Sequence, residues 1–540
     1  VGANGICGTG MLKAVTSGAR SVLPYLRGAR IVNVLVRVLT SLRPYLIVFT
    51  ASACGLIIEI VAGRILAPVI GVSLYTWTSI IGVVLAGISI GNYVGGRIAD
   101  RFPSTTTLGV ILLAGGVASA GILPLVDLAS DAFKHVPVLP RIVLLTAALF
   151  FVPSLILGMV TPVVIKLNLR DLAHAGNVVG KIYAVSTAGS IFGTFITGFV
   201  LIQLLGTRSV VLIVSLVLVA MAFAFGSVWR ARLPGIGLSA ILAGVISFSV
   251  LSDALDSPCQ VESNYFCIKV RATDLDDREV RVLSLDALVH SYVDVDDPTY
   301  MRYSYEKVFA DLATFVGARE PPMNVLFIGG GGYTMPRFLE TAYPNSTLQV
   351  AEIDPEVTRV AIEYLGLGRN SRIVTHNEDA RTLMQGLAPG TFDLIMGDAF
   401  NDVSVPYHLT TLEFNRSVRD LLTEDGVYAA NIVDKMHSGK FLRAFEKTMR
   451  QVFPYVYVLR DNDLWASNDR YTFVVVGSRL PLSHESIAIA NLMEGKPLVV
   501  LRFMPSESFR RWSTAETAVV LTDDFVPVDG MLAPLFLESR

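Results

Sequence analysis

The 540-residue sequence has little charge and few side chains suited to metal binding. Charged residues make up 17% of the chain against 52% hydrophobic residues, and the mean hydropathy is +0.55. The 44 basic and 46 acidic residues leave a net charge of -2, without the basic excess that binding to nucleic-acid phosphates requires. The seven histidines are isolated, and no Cys-x-x-Cys or His-x-x-x-His pair occurs. We therefore expect neither nucleic acid nor a metal ion as a ligand.

Acidic residues are also missing from the start of the chain. None precedes Glu59, and every charge between Lys13 and Arg43 is positive. Arginines interrupt each apolar run there, which disfavours the apolar core of a signal peptide. We interpret residues 1–43 as a basic tail that forms an amphipathic helix on the membrane surface, with a disordered tail as the alternative.

Long apolar stretches follow this tail. A helix of about 20 apolar residues crosses a hydrocarbon core, and seven such stretches lie at about 44–62, 76–98, 107–127, 142–165, 180–205, 208–227 and 236–252. Glycines at four-residue spacing predict close helix packing in the second stretch (Gly87, Gly91 and Gly95) and in the fifth (Gly189 and Gly193). Residues 44–252 are predicted to form a multi-pass α-helical transmembrane bundle of the cell membrane, with the lipid bilayer as its partner.

The turn after the second stretch carries a short resemblance. Residues Gly91 to Arg101, GNYVGGRIADR, resemble the loop between helices two and three of the major facilitator transporters. A full transporter of that type has about twice as many helices as the seven predicted from the apolar stretches. The resemblance implies a half-sized bundle joined to a soluble domain.

Basic residues in the short loops indicate the orientation of the bundle. One side carries the basic tail with Arg97, Arg101, Lys166, Arg170, Lys181, Arg230 and Arg232, and the other carries Arg64, Lys134, Arg141 and Arg208. The first side is predicted to be cytoplasmic, and seven spans then place the soluble domain outside. Cys259 and Cys267 allow two alternatives, a disulfide in an oxidising compartment or unpaired thiols in a reducing one. A miscounted helix would favour the second.

The soluble part divides by pattern. Residues 256–320 contain two alternating stretches, 262–273 and 278–293, that predict a small antiparallel sheet, followed by a helix starting at Asp296 or Asp297 with Pro298. Residues 321–480 alternate apolar strands with helices, which predicts a Rossmann-like α/β domain with a parallel sheet covered on both faces. Residues 481–540 are a C-terminal extension with a helix, a strand and a loop, 521–529, that packs back on the domain.

Glycines and carboxylates follow successive strands of the predicted sheet. Four glycines, Gly329 to Gly332, end the first strand, and the next strand ends at Glu352 and Asp354. The third strand is followed by Glu378 and Asp379, and the fourth by residues 398–402. Ligands of such sheets bind beyond the carboxyl ends of the strands. The pattern predicts a nucleoside crevice in which Glu352 accepts hydrogen bonds from ribose hydroxyls and Asp379 accepts one from an adenine amino group.

Several segments of this region carry a family resemblance: ESNYFCIKV, LSLDALVH, SYEKVF, VLFIGGGG, VAEID, HNEDA and FDLIMGDAFND. Residues 262–480 resemble the spermidine synthase (polyamine aminopropyltransferase) family, and residues 44–480 resemble its membrane-fused bacterial members. The resemblance implies transfer of an aminopropyl group from decarboxylated S-adenosylmethionine to a small amine, leaving methylthioadenosine. S-adenosylmethionine itself is the alternative donor.

The resemblance also implies roles for single residues. Asp398 is expected to be the catalytic base. The expected cofactor-binding residues are Gly329, Gly330, Gly331, Gly332, Glu352, Asp354, Glu378, Asp379 and Ala380. Tyr305 and Glu306 match the family's amine-site segment, and the other expected substrate-binding residues, near the predicted crevice, are His290, Asn401, Asp402 and Tyr407. A purely structural role is the alternative for His290 and Tyr407. The sequence departs from the family pattern where Gly332 stands at the aspartate of GGGDGG and His290 at a glutamine.

Two other functions remain open at this stage. One is an S-adenosylmethionine-dependent methyltransferase acting on a lipid or envelope substrate. The other is a membrane binding or transport protein whose synthase-like domain has lost catalysis. The resemblance also leaves a homodimer open.

Overall fold

The computed structural model describes residues 11–537, except 170, 320–321, 400–404, 497–498 and 516–517. Its N-terminal half is helical. The helices are α1 (Met11–Ile70), α2 (Leu74–Arg101), α3 (Thr105–Ala132), α4 (Val138–Gly158), α5 (Val160–Asn168), α6 (Ala175–Ile196), α7 (Ile202–Leu205), α8 (Thr207–Phe225) and α9 (Arg232–Leu251). A π-helical turn, Thr197–Leu201, joins α6 to α7.

Seven helical segments among the described residues are long and apolar enough to cross a membrane. They are Ser41–Ile70, Leu74–Arg101, Thr105–Ala132, Val138–Asn168, Ala175–Leu205, Thr207–Phe225 and Leu233–Leu251. The predicted number of long apolar helices is confirmed, and their insertion into a membrane stays a prediction. The basic tail from residue 11 is the first part of α1, which continues into the first span, whereas residues 1–10 lie outside the described residues. The placement of this tail on a membrane surface stays a prediction.

The predicted close packing at glycines is confirmed for both helices. A Cβ added to Gly91 of α2 would lie 2.1 Å from the carbonyl oxygen of Leu155, in α4. A Cβ added to Gly189 of α6 would lie 2.2 Å from the carbonyl oxygen of Phe49, in α1. These glycines let backbone touch backbone, which supplies the dispersion contacts that hold apolar helices together in lipid.

A small antiparallel sheet follows the bundle. Its strands are β1 (Val261–Glu262), β2 (Cys267–Leu275), β3 (Arg278–Leu285) and β4 (Leu288–Val293), hydrogen-bonded in that order. The next helix, α10 (Ser304–Arg319), starts later than predicted. The predicted start at Asp296 or Asp297 is wrong because these residues form turns: Asp294 Oδ1 accepts the N–H groups of both, and Asp297 accepts that of Thr299.

The α/β domain has the predicted class, with helices on both faces of one sheet. Its first elements are β5 (Asn324–Ile328), α11 (Thr334–Ala342), β6 (Thr347–Ala351), α12 (Pro355–Tyr364), β7 (Val374–His376), α13 (Ala380–Met384), β8 (Phe392–Gly397), α14 (Leu412–Leu421) and β9 (Leu422–Lys435). The chain continues with α15 (Phe441–Met449), β10 (Tyr455–Arg460), β11 (Arg470–Ser478), α16 (His484–Met493), β12 (Arg502–Phe503), α17 (Ser506–Ala515) and α18 (Val528–Leu537).

The eight strands of this sheet run in the order β12-β10-β11-β9-β8-β5-β6-β7. The five from β9 to β7 are parallel, and the other three pair antiparallel. Parallel pairing brings the carboxyl ends of β5, β6, β8 and β9 to one edge, which becomes the site. The predicted return of residues 521–529 is confirmed, since Asp523 pairs with Arg381 and Leu412 N–H donates to the Leu521 carbonyl at 2.7 Å. The domain limits inferred from composition stay predictions.

The bundle and the soluble part contact each other at one end of the bundle. Arg64 of α1 donates to the carbonyls of Ser263 and Tyr265, and Glu262 accepts the N–H of Thr207 at 2.7 Å, where α8 begins. The linker after α9 is joined to β2 by a disulfide between Cys259 and Cys267, with the Cα atoms 5.1 Å apart. Of the two alternatives for these cysteines, the structure has the disulfide.

We expect Gly91→Ala to destabilise the bundle. The added methyl has to move α2 from the α4 backbone, and overpacking of this kind costs about 1–3 kcal/mol. Thermal unfolding of the full chain in detergent is the measurement, with Gly82→Ala as the control, because nothing lies within 4 Å of a Cβ added at that position of the same helix. Equal melting temperatures for the two variants would contradict the packing described.

Candidate active site

A cavity of about 330 Å³ lies where β5, β8 and β9 end. Its floor consists of the glycine loop after β5 and Asp398 after β8. Its walls come from β4, from the start of α10, from β9 and β11, and from α18. The lining includes His290, Ser291, Tyr303, Tyr305, Glu306, Gly329, Gly330, Gly331, Thr334, Asp398, Asn431, Tyr471, Leu532 and Leu535.

The Asp398 carboxylate is held from two sides. Asn431 Nδ2 donates to Oδ1 at 2.7 Å, and the Tyr305 hydroxyl donates to Oδ2 at 2.9 Å. Burial raises the pKa of Asp398, and the two hydrogen bonds oppose that rise. The result is an oriented carboxylate at the cavity floor whose remaining lone pairs are available to a ligand.

Glu306 lies beside this carboxylate in the first turn of α10. Its Oε2 accepts the N–H of Tyr303 at 3.0 Å, so it also caps the helix, and only 2% of the residue is exposed. Burial, reinforced by the charge of Asp398, raises the pKa of Glu306 to about 8. At neutral pH Glu306 is therefore mostly protonated.

His290 stands in the wall formed by β4. Its Nε2 is buried and has no hydrogen-bond partner among the described residues. Burial lowers the pKa of His290 to about 4, so the imidazole is neutral at physiological pH. Buried polar atoms are normally hydrogen-bonded, so a buried ring nitrogen without a partner distinguishes His290 from a purely structural histidine.

The glycine loop has close neighbours on two sides. Gly329 has φ of 98°, and a Cβ there would lie 2.4 Å from the carbonyl oxygen of Asp398. Gly332 donates its N–H to Ser291 Oγ at 3.0 Å, and a Cβ there would lie 2.5 Å from Ser291 Cβ. A carboxylate side chain at position 332 has no room, because β4 occupies the space.

Glu352 connects the second strand to this loop. Its Oε2 accepts the N–H groups of Gly330 at 2.8 Å and Gly331 at 3.3 Å, and its Oε1 accepts that of Asp354 at 3.0 Å. Burial raises its pKa, and these three backbone donors act against that shift. Because each carboxylate oxygen has two lone pairs, Oε2 is fully used by the two glycines, and Oε1 keeps capacity for one further donor.

Other predicted residues lie away from the cavity. Asp354 is 1% exposed, caps α12 through the N–H of Glu356, and accepts the hydroxyl of Ser263. Asp379 caps α13 and pairs with His408 Nε2 at 2.7 Å. Burial alone would raise the pKa of Asp379, but the hydrogen bonds from His408 and Thr382 lower it.

The remaining predicted cofactor and substrate residues also lie away from the cavity or outside the described residues. Ala380 is buried at the start of α13, Glu378 is exposed, and Tyr407 is 60% exposed against the ring of His408. Asn401 and Asp402 lie outside the described residues. The structure thus brings His290, Tyr305, Glu306, Asp398 and the first three glycines to one cavity. The roles assigned to all these residues stay predictions.

Sequence reasoning missed several cavity residues. Asn431 is one, although its signal was present: a lone amide inside the apolar run YAANIV. Gly397 of β8 pairs with Ala430 of β9, so the next residues along the chain, Asp398 and Asn431, lie side by side. Tyr303 stacks on Tyr305 with ring centroids 5.7 Å apart. Leu532 of α18 reaches the cavity only through tertiary packing, and no local pattern marks it.

Comparisons with known proteins give one matching family model and several aminopropyltransferase relatives, besides shorter matches to eEF1A lysine and N-terminal methyltransferases. A spermine/spermidine synthase domain model matches residues 304–461. The chain is 30% identical over 214 residues to polyamine aminopropyltransferase of Vibrio vulnificus, covering 38% of this chain and 69% of that protein. It is 25% identical over 392 residues to polyamine aminopropyltransferase 2 of Ralstonia nicotianae, covering 65% of this chain and 71% of that protein.

A solved structure is also similar. A probable spermidine synthase from Corynebacterium glutamicum superposes with a TM-score of 0.43 at 23% identity, covering 48% of this chain and 95% of that chain.

We expect stability to fall as pH rises from 4.5 to about 8, because Glu306 keeps its proton in the folded state over this range and loses it on unfolding. Glu306→Gln keeps an acceptor for the Tyr303 N–H and cannot ionise. Urea unfolding at several pH values should show a flatter pH dependence for this variant and higher stability than the native chain at pH 8. Glu485→Gln, on the exposed face of α16, is the control. An unchanged slope in Glu306→Gln would contradict a buried neutral Glu306.

Proposed function

The chain belongs to the spermidine synthase (polyamine aminopropyltransferase) family, and from this premise we propose that its C-terminal domain transfers an aminopropyl group to an amine. The donor is a decarboxylated S-adenosylmethionine-type sulfonium, and the nucleoside product is methylthioadenosine. The apolar helices hold this enzyme in a membrane. The observation that carries the proposal is Asp398, oriented by Tyr305 and Asn431 at the floor of a cavity bordered by the glycine loop.

The reaction needs a deprotonated amine. Aliphatic amines are protonated at neutral pH, with a pKa near that of lysine at about 10.4. An ammonium group has no lone pair, so one proton must leave before attack. Asp398 supports this step because burial raises its pKa toward the working pH, where a carboxylate is a better base.

The bond changes are simple once the amine is neutral. The amine nitrogen forms a bond to the propyl carbon next to sulfur, the carbon–sulfur bond breaks, and its electron pair returns to sulfur. The cationic sulfonium becomes a neutral thioether, the product nitrogen takes up the positive charge, and the proton removed earlier from the substrate ammonium resides on Asp398. Positioning of the two reactants supplies much of the acceleration for a displacement of this kind.

The chain's residues fit a sulfonium nucleoside and an amine. Gly329 to Gly331 present backbone to the cavity, and Glu352 lies behind them with acceptor capacity for a ribose. The rings of Tyr303 and Tyr305 line the same space and offer π faces to a cation.

We expect Asp398→Asn to lower kcat by about 10²–10⁴-fold, the usual contribution of a general base. The measurement is methylthioadenosine release by the full chain in detergent, with decarboxylated S-adenosylmethionine and a panel of diamines and polyamines. Asp420→Asn, on the exposed side of α14, should keep full activity.

The same assay tests the proposal itself. Failure of the native chain to release methylthioadenosine with every amine tried would refute aminopropyl transfer. Methyl transfer from labelled S-adenosylmethionine, without that release, would identify a methyltransferase instead.

We expect Tyr305→Phe to move the acidic limb of the pH profile for kcat/KM to higher pH. The Tyr305 hydroxyl lowers the pKa of Asp398 by donating to its carboxylate, so its removal raises that pKa. Asp398 then loses its proton, and kcat/KM rises, at higher pH than in the native chain. Tyr407→Phe, whose side chain is 60% exposed outside the cavity, should keep the native profile. An unshifted limb in Tyr305→Phe would show that Asp398 is not the titrating base.

A further inference from the structure

We infer that the soluble transferase-like domain lies on the non-cytoplasmic side of the membrane, so that its cavity takes reactants from that side. The inference uses the charges at the two ends of the helical bundle and the position of one disulfide. It does not depend on the reaction proposed above.

The structure defines two ends of the bundle by contact. The domain end touches the soluble part: Arg64 donates to the Ser263 and Tyr265 carbonyls, Thr207 N–H donates to Glu262, and Leu74 N–H donates to Asp529 of α18. The far end is closed by other contacts. Lys166 pairs with Asp100 at 2.7 Å, and Arg43 donates to the carbonyl of Phe225.

Basic residues are concentrated at the far end. Arg43, Arg97, Arg101, Lys166, Lys181 and Arg230 lie near helix termini on that side. The apolar part of α1, Ser41–Ile70, enters the bundle there. The sequence of α1 before Ser41 contains five more basic residues: Lys13, Arg20, Arg27, Arg30 and Arg37. The domain end has Arg64, Lys134, Arg141 and Arg208.

The basic residues of the domain end are also engaged within the protein. Arg64 and Arg208 donate to backbone carbonyls of the linker and the small sheet, and Lys134 pairs with Asp131. Excess lysine and arginine in short loops mark the cytoplasmic side. The far end is therefore cytoplasmic, and the domain is on the opposite side.

The disulfide is an independent observation that agrees. Cys259 lies in the linker that follows the last apolar helix, and Cys267 begins β2. The bond therefore ties the first strands of the soluble part to the linker close to the end of that helix. Cytoplasmic thiols are kept reduced, and structural disulfides persist in oxidising compartments. A disulfide at this point fits a domain that folds outside the cytoplasm.

The position of the cavity gives the inference a functional consequence. Helix α18 provides Leu532 and Leu535 to the cavity wall, and the same helix contacts α4 at the domain end of the bundle. The cavity is thus anchored to the non-cytoplasmic membrane surface. Resting on the proposed function, this means that the cationic sulfonium donor has to be carried across the bilayer by a separate transport step, because its charge opposes passive crossing.

Cysteine labelling of the full chain in spheroplasts tests the topology. In a Cys7→Ser background, Glu485→Cys reports on the domain and Gly176→Cys on the far end, and both positions are exposed. We expect a membrane-impermeant maleimide to label Glu485→Cys in intact spheroplasts and Gly176→Cys only after permeabilisation. The reverse pattern would overturn the inference.

A redox measurement provides the second readout. Thiols trapped by acid quenching of the cells should show Cys259 and Cys267 blocked until a reductant is added, whereas free thiols would contradict an oxidising location. Neither measurement involves turnover, so an inactive protein with the expected labelling would reject the proposed function and leave the topology standing.

Discussion

The candidate site depends on the close approach of backbone at the glycine loop. Gly329 touches the carbonyl of Asp398, and Gly332 is packed against Ser291 of β4. A Cβ added at Gly329 would lie 2.4 Å from that carbonyl oxygen, and one added at Gly332 would lie 2.5 Å from Ser291 Cβ, so only glycine fits where β5 ends between β8 and the small sheet. His290 in the wall and Asp398 in the floor line the same cavity. The close approach also explains why the chain has glycine at position 332, since a larger residue there would displace β4.

The electrostatics of the cavity follow from burial. Two carboxyl groups, Glu306 and Asp398, share a small space with tyrosine rings and a neutral histidine. Desolvation and mutual repulsion keep Glu306 protonated at neutral pH, whereas Asn431 and Tyr305 donate hydrogen bonds to Asp398. Different surroundings thus separate two chemically similar groups, one a neutral helix cap and the other a candidate base.

The helical bundle and the soluble part are joined through a small number of polar contacts. Two neighbouring residues link the bundle to the α/β domain. Glu262 accepts the N–H of Thr207, the first residue of α8, and the hydroxyl of Ser263 donates to the carboxylate of Asp354 at the start of α12. Helix α18 adds a second link, since it lines the cavity and contacts α4. The helical bundle and the cavity wall are therefore linked by direct contacts within the chain.

The sequence by itself determined the seven apolar helices, the small antiparallel sheet, the alternation of strands and helices, and the acidic residues at strand ends. These features follow from the periodicity of apolar residues within short segments and from the order of the segments, neither of which depends on residues far away in the sequence. Only the tertiary structure decided what each carboxylate does. Asp398 meets Tyr305, 93 residues away, whereas Asp354 meets Ser263, 91 residues away, and Asp379 meets His408, 29 residues away. The helix-capping contacts of Asp354 and Asp379 are local, but contacts with these distant partners have no local signature. The sequence alone therefore did not show that only Asp398 of the three lines the cavity.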